Sequence, residues 1–329
     1  MKVIRNQASA GERVLALGTF DGVHRGHQAL LAAGKRFARE NGILLRACSF
    51  DRHPLEVLRP ETAPKLLTTL PEKTELMARY GADELQLIHF TKETADMQPE
   101  EFLGMLRNTV SLRAVIAGWN YTFGKHGRGT AELLRQDGEK HGYKVLIVPP
   151  VMTDRGEAIS STLIRGILQE GNTEEAGKLL GHPYEIHGRV TEGKHIGHRI
   201  GVPTANVDPG ERKQLPAFGV YPCRMVTEGG VYAAAVNIGV QPTIPSGKVT
   251  VEAHVLEGAP ELYGQAVRLI PGNRIRPEIL FSSTEALTAQ IREDQEKVLD
   301  WYKSRETAEE WTGWSEKRQS FALYGQGRE

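Results

Sequence analysis

The chain has 329 residues, 40% of them hydrophobic, which is enough apolar material for two packed domains. Lysine plus arginine balances aspartate plus glutamate at 41 each, so no overall field draws the protein to nucleic acid or to a membrane surface. Two cysteines, Cys48 and Cys223, fall in different halves and argue against a disulfide framework. With no apolar signal core at the N-terminus and no run of ~18 apolar residues, a cytoplasmic protein is expected.

The apolar run Val14–Leu17 leads into Gly18-Thr19-Phe20-Asp21-Gly22-Val23-His24-Arg25-Gly26-His27, and a helical pattern continues from Gln28 to Glu40. This reads as strand, tight loop, helix. Gly18 and Gly22 flank Asp21, and Gly26 separates the histidines, so the backbone can turn sharply and approach a ligand closely. His24 and His27 are three apart, a spacing that puts both on one helix face. The unpaired N–H groups of a helix start suit a triphosphate. Two other readings stand beside this one: a metal site built with Asp21, although no further His/Cys cluster lies nearby, and a purely structural turn.

In the helix that follows, Leu30, Ala33 and Phe37 are expected on the buried face. Further strand-like runs appear at 43–50, 85–88, 114–117 and 145–148, with helical patterns near 71–80, 98–109 and 130–141 between them. Such alternation predicts a doubly wound parallel α/β sheet, whose ligand sits beyond the carboxyl ends of the strands. The segments at those ends are Gly18–His27, Phe50-Asp51-Arg52-His53-Pro54, Gly118 to Lys125 and Ile159 to Arg165. Each has a plain reading as well. Ser160 or Ser161 can simply cap a helix, His53 can be a loop residue before Pro54, and Trp119 to Phe123 can be an aromatic corner. Their convergence on one sheet end favours a site, in which Arg165 reaches back towards anionic oxygens.

A helical pattern over 168–180 ends at Gly181-His182-Pro183, and the texture then changes to short β-type runs at 184–190, 219–226, 231–238, 249–256 and 266–270. The expected domains are 1–182 and 183–309, the second a small antiparallel β-barrel with a hairpin turn at Glu228-Gly229-Gly230. A terminal helix over 285–305 would lie across the barrel, and residues 310–329 carry no recognisable motif. Glycines at Gly193, Gly197 and Gly201, with Lys194 and Arg199, form either a phosphate-wrapping loop or a solvated basic hairpin. Thr204 and Asn206 share one strand face and can offer hard oxygens to Mg²⁺. Glu252 alternates with Val251 and Ala253 and shares a face with His254. It is either an exposed strand carboxylate or a general base.

The segment Gly18–His27 resembles the nucleotidylyltransferase signature of bacterial bifunctional riboflavin kinase/FAD synthetases. Pro203–Asn206, Asn237-Ile238-Gly239, Pro242-Thr243, Val251–His254, Leu262-Tyr263-Gly264 and Arg276-Pro277-Glu278 follow in that family's order. The likeness covers about residues 12 to 303. It implies that His24 and His27 are catalytic, with Gly18, Phe20, Asp21, Gly26, Ser161, Thr162 and Arg165 around ATP phosphates and His53 and Asn120 on flavin or nucleotide. In the second half it implies Gly193, Lys194, Gly197, Arg199 and Gly201 on a second ATP, Thr204 and Asn206 on Mg²⁺, and Glu252 as base. The implied reactions are phosphorylation of riboflavin to FMN, then adenylyl transfer from ATP to FMN, giving FAD and pyrophosphate. The alternatives are a chain retaining one activity and a non-catalytic flavin-binding sensor. Two departures stand out. Asn120-Tyr121 replaces a common Asp-Phe, and Gly197-His198-Arg199-Ile200-Gly201 replaces Gly-Arg-x-Leu-Gly, so that Arg199 takes over the displaced charge and the role of His198 is open.

Overall fold

Four consecutive fully buried residues, Val14 to Leu17, mark a strand covered on both faces, the pattern of a central parallel strand. In a computed structural model of the protein, described over residues 1–5, 10–191, 204–240, 249–258 and 261–305, this strand is β2, Glu12–Leu17. Its sheet also contains β1 (Lys2–Arg5), β3 (Leu44–Phe50), β4 (Glu84–Ile88), β5 (Ser111–Gly118) and β6 (Lys144–Val148). The order is β1-β4-β3-β2-β5-β6, all parallel. The expected doubly wound parallel sheet is therefore present, with one edge strand more than the apolar runs indicate. Only Ile4 of β1 is buried, which leaves no periodicity to read.

Helices follow the strands: α1 (Arg25–Glu40), α2 (Pro54–Leu58), α3 (Leu70–Arg79), α4 (Lys92–Asp96), α5 (Pro99–Thr109) and α6 (Ala131–His141). The buried face of α1 is Leu30, Leu31, Gly34 and Ala38, rotated from the expected Leu30, Ala33 and Phe37. Gly34 explains the rotation, because a Cβ there would lie 2.7 Å from Leu45 Cδ1, so the helix backbone packs directly on the sheet. Phe37 is left half-buried with the Lys144 ammonium 5.7 Å from its ring centre.

The chain divides into two compact units, Met1–Ser161 and Thr162–Glu329. The second unit contains α7 (Ser161–Gln169, from its second residue), α8 (Thr173–Leu180) and a closed barrel. The barrel strands are β7 (Ile186–Thr191), β8 (Ala205–Asp208), β9 (Gly219–Thr227), β10 (Gly230–Val240), β11 (Val249–Val255) and β12 (Ala266–Pro271). They close in the order β10-β11-β8-β7-β12-β9, each pair antiparallel. Alternation supplies the core: Ala205, Val207, Val236, Ile238, Val251, Ala253, Val267 and Leu269 point inward. Gly188 is required where β7 meets β8, since a Cβ would lie 2.5 Å from the Asp208 carbonyl oxygen.

The terminal helix α9 (Thr284–Arg305) runs across β9 and β10. The Arg276 guanidinium clamps it through Asp294, with Nε 3.0 Å and 3.1 Å from the two carboxylate oxygens and a second nitrogen 2.8 Å from one of them. Trp301 packs over Gly272 and donates to Glu174 on α8 (3.0 Å). On the opposite side of the register, His187 of β7 pairs with Arg268 of β12, and its Nε2 lies 2.5 Å from the buried Glu185 carboxylate. Burial opposes ionisation of Glu185, but the His187 bond, then the charges of His187, Arg268 and His182, outweigh it and bring its pKa down to about 2. Each unit buries one cysteine, Cys48 in β3 and Cys223 in β9.

Candidate active sites

The loop after β2 is a wound backbone. Gly22 has φ 80°, and two residues with side chains, Phe20 (φ 51°) and Val23 (φ 39°), also adopt positive φ. For a β-branched residue this is a strained state that the surroundings must impose. Phe20 and Val23 are fully buried, which anchors the loop from below. Gly22 N–H donates to Thr68 Oγ1 (3.0 Å), Thr68 N–H donates to the Asp21 carboxylate (3.2 Å), and Gln28 Nε2 donates to the Val23 carbonyl (2.8 Å). Ser161 Oγ donates to the Asp21 carbonyl (2.9 Å). Asp21 is 3% exposed, so its carboxylate braces the loop from inside.

Above this brace, His24 occupies the N-cap position of α1, and its ring stacks on His27 at 3.8 Å. The i,i+3 convergence read from the sequence is present. Gly26 lies under the pair, where a Cβ would meet the His24 ring at 3.1 Å. Burial, then the charges of His24 and Lys73, holds the pKa of His27 well below the usual histidine value, so its ring is neutral at pH 7. Its Nδ1 is buried with no hydrogen-bond partner among the described residues.

Lys73, on α3, has no counterpart in the sequence reading. Its Nζ donates to the Thr19 carbonyl (2.9 Å) inside the loop motif. Burial lowers its pKa from the ordinary lysine range, with Asp21 and Glu56 acting the other way. Lys73 lines a solvent-open cleft together with Thr19, Asp21, Ser49 and the whole stretch Phe50–Pro54. His53 lies on that lining, but its Nδ1 accepts the Leu55 N–H (3.2 Å), so one ring nitrogen is used to cap α2. Beside it the Asp51 carboxylate accepts from His89 Nδ1 (2.6 Å) and Phe90 N–H (3.1 Å). Burial raises the pKa of Asp51, but these bonds, with Arg52 nearby, bring the net value below normal. Asn120 is exposed in the turn after β5, where Tyr121 N–H donates to the Gly118 carbonyl (3.0 Å). Thr162 and Arg165 lie in the first two turns of α7, in the second unit.

In the barrel, pairing aligns the second set of residues. Asn237 of β10 is opposite Glu252 of β11, Glu252 is opposite Asn206 of β8, and Asn206 is opposite Thr191 of β7. Directly opposed residues share a face with Cβ atoms about 4.5–5.5 Å apart. Because Val251 and Ala253 point into the core, Glu252 points outward, as does Asn206 between buried Ala205 and Val207. Thr204 immediately precedes β8, two residues before Asn206. His254, on the face of Glu252, meets Gln295 of α9 at 3.0 Å. A second carboxylate flanks the row: a Cβ on Gly239 would lie 1.8 Å from Glu278 Oε1, so Glu278 rests on the bare backbone two residues from Asn237. Gly193, Lys194, Gly197, His198, Arg199 and Gly201 lie outside the described residues.

Comparison with known proteins gives two matches to family models, FAD synthetase over residues 6–163 and riboflavin kinase over residues 180–302. Proteins described as bifunctional riboflavin kinase/FMN adenylyltransferase from Bacillus subtilis (strain 168) and Escherichia coli (strain K12) are each 34% identical. The first match covers 88% of this chain and 92% of the relative, and the second 92% and 98%. A crystal structure described as a macrolide-efflux protein from Streptococcus pneumoniae superposes with TM-score 0.82 at 31% identity, over 92% of this chain and all of its own. No helix among the described residues is long and apolar enough to cross a membrane.

Proposed function

The chain belongs to the family of bifunctional riboflavin kinase/FMN adenylyltransferases, and from that premise we propose that the Gly18–His27 loop serves adenylyl transfer while the Asn206–Glu252 row serves the kinase. The enzyme phosphorylates riboflavin to FMN and adenylylates FMN to FAD. In our assignment residues 1–182 carry the transferase and 183–309 the kinase. The observation that supports the assignment is the barrel register, which sets two of the candidates, Asn206 and Glu252, directly opposite one another.

In adenylyl transfer an FMN phosphate oxygen attacks the α-phosphorus of ATP, the bond to the β-phosphate oxygen breaks, and pyrophosphate leaves. The nucleophile is already ionised, so no strong base is required and the work is positioning and charge stabilisation. The α1 N–H groups, His24 and His27 bind phosphate oxygens. His27 does so as a neutral donor until an anion arrives, whose charge then favours its protonated form. Gly18, Phe20, Asp21 and Gly26 give the loop its shape, Ser161, Thr162 and Arg165 add phosphate contacts, and His53 and Asn120 hold flavin or nucleotide polar groups.

In the kinase reaction Glu252 accepts the proton of the riboflavin 5′-hydroxyl as that oxygen attacks the γ-phosphorus of the second ATP and ADP departs. Gly193, Lys194, Gly197, Arg199 and Gly201 wrap that ATP. Thr204 and Asn206 fit Mg²⁺ because both carry a hard oxygen, and Asn206 lies opposite a carboxylate. When bound there, Mg²⁺ neutralises charge on the phosphates. In this reading the enzyme is cytoplasmic and acts on small molecules, and the balanced net charge supports the absence of a nucleic-acid partner. The test is to resolve flavins by chromatography after incubating the protein with riboflavin, ATP and Mg²⁺. A His24→Ala/His27→Ala variant should stop at FMN, and FAD formation at the parental rate would remove those residues from the site.

A further inference from the structure

We propose that Lys73 holds the phosphate of FMN, the attacking group of the adenylyl transfer, at the mouth of the cleft formed by the ends of β2 and β3. The inference rests on reading the first unit as the adenylyltransferase. Lysines are seldom drawn in from solvent without an acidic partner. Lys73 is half-buried, yet it makes no ion pair among the described residues. Its ammonium donates to the neutral Thr19 carbonyl, which uses one of three donors and aims the group at the loop motif. Asp21 and Glu56 are near enough to act on it electrostatically but do not neutralise it by contact.

Which anion it takes follows from what it shares the cleft with. The cleft includes Thr19, His53 and Lys73 but none of His24, Gly26 and His27, which belong to the helix-start side where a triphosphate sits. The cleft is open to solvent, and Phe50, Pro54, Leu66 and Leu70 give it apolar walls. A flavin can enter such walls. A flavin bound there with its phosphate towards Thr19 meets Lys73 at the edge of the loop, where a nucleophile for ATP must stand. Two anions must be brought together for this reaction, and Lys73 supplies positive charge on the nucleophile's side.

The test uses the full chain, ATP, Mg²⁺ and supplied FMN, with KM for FMN and KM for ATP measured separately in Lys73→Met and Lys73→Arg. Lys73→Met is expected to raise the KM for FMN about 10-fold or more while the KM for ATP stays within about 2-fold, and Lys73→Arg should recover most of the loss. Riboflavin phosphorylation by the same preparation should be unchanged, and the thermal midpoint should stay near the parent's. Equal increases in both KM values, or a fall in kcat alone, would overturn the proposal in favour of a structural or triphosphate role. If Lys73→Met does not fold, Lys73→Gln keeps a donor for Thr19 and is read on the same two KM values. A parent protein that makes no FAD would instead sink the underlying reading, so the two failures are distinct.

Discussion

Replacing Glu252 with glutamine separates a base from a strand carboxylate. The side chain lies on the outer face of β11 between Asn206 and Asn237, with the neighbouring Val251 and Ala253 carrying the core packing. The amide keeps the length and planarity of the carboxylate, so stability should shift by no more than about 0.5 kcal/mol. Proton acceptance is lost. Removal of a positioned base costs roughly 10²–10⁴-fold, which at 1.36 kcal/mol per decade is about 2.7–5.4 kcal/mol of barrier. Riboflavin phosphorylation, followed by chromatography under saturating ATP, should fall by that factor, while FAD formation from supplied FMN continues at the parental rate. Glu278 provides an internal control, because its carboxylate rests against Gly239 on the same strand face. Glu278→Gln should cost much less. Parental turnover in Glu252→Gln across a range of pH, or a larger loss in Glu278→Gln, would refute the assignment of the base.

The double variant His24→Ala/His27→Ala should lower FAD synthesis at least about 10²-fold with FMN still accumulating, because it removes the stacked rings and leaves the helix start intact. Thr204→Val and Asn206→Leu should each shift the Mg²⁺ dependence of the kinase to higher concentration. Unchanged Mg²⁺ titration curves would detach those residues from the metal. Glu185 predicts acid sensitivity of the barrel unit. Its folded pKa of about 2 lies below the unfolded value, so its contribution is full above about pH 4.5 and is lost as pH falls towards 2. Glu185→Gln should flatten that decline in an unfolding series monitored by Trp301 fluorescence, and an unchanged slope would assign the acid transition elsewhere.

Much of the architecture was legible because its signals are local. Runs such as Val14–Leu17 and helices started by Thr69-x-x-Glu72 or Gln98-x-x-Glu101 state their period and their caps in consecutive residues. What escaped depends on distant pairing. The strand around Asn206 is legible in the sequence, but not its place in the barrel between β7 and β11. The bond from Thr68 N–H to the Asp21 carboxylate spans 47 positions, and no pattern near residue 21 could disclose it. Lys73 reads in sequence as the solvated face of an amphipathic helix. Only the approach of α3 to Thr19 brings it to the motif. The row of Asn206, Glu252 and Asn237 was nearer to hand, since alternation fixes each side chain's face, but their adjacency required the register.

The two buried cysteines give the molecule a pair of built-in clocks. Cys48 packs in β3, its carbonyl accepting the Gly18 N–H next to the phosphate loop (3.3 Å), and burial pushes its thiol up to about 12. Cys223 sits in β9 of the barrel, fully enclosed, and its thiol is also raised by burial. The reactive species is the thiolate, so neither residue can be alkylated until its own unit opens. Labelling rates resolved by peptide mass therefore time the opening of each unit separately within one chain. A nucleotide that slows modification of Cys48 but not Cys223 reports occupancy of the first unit alone.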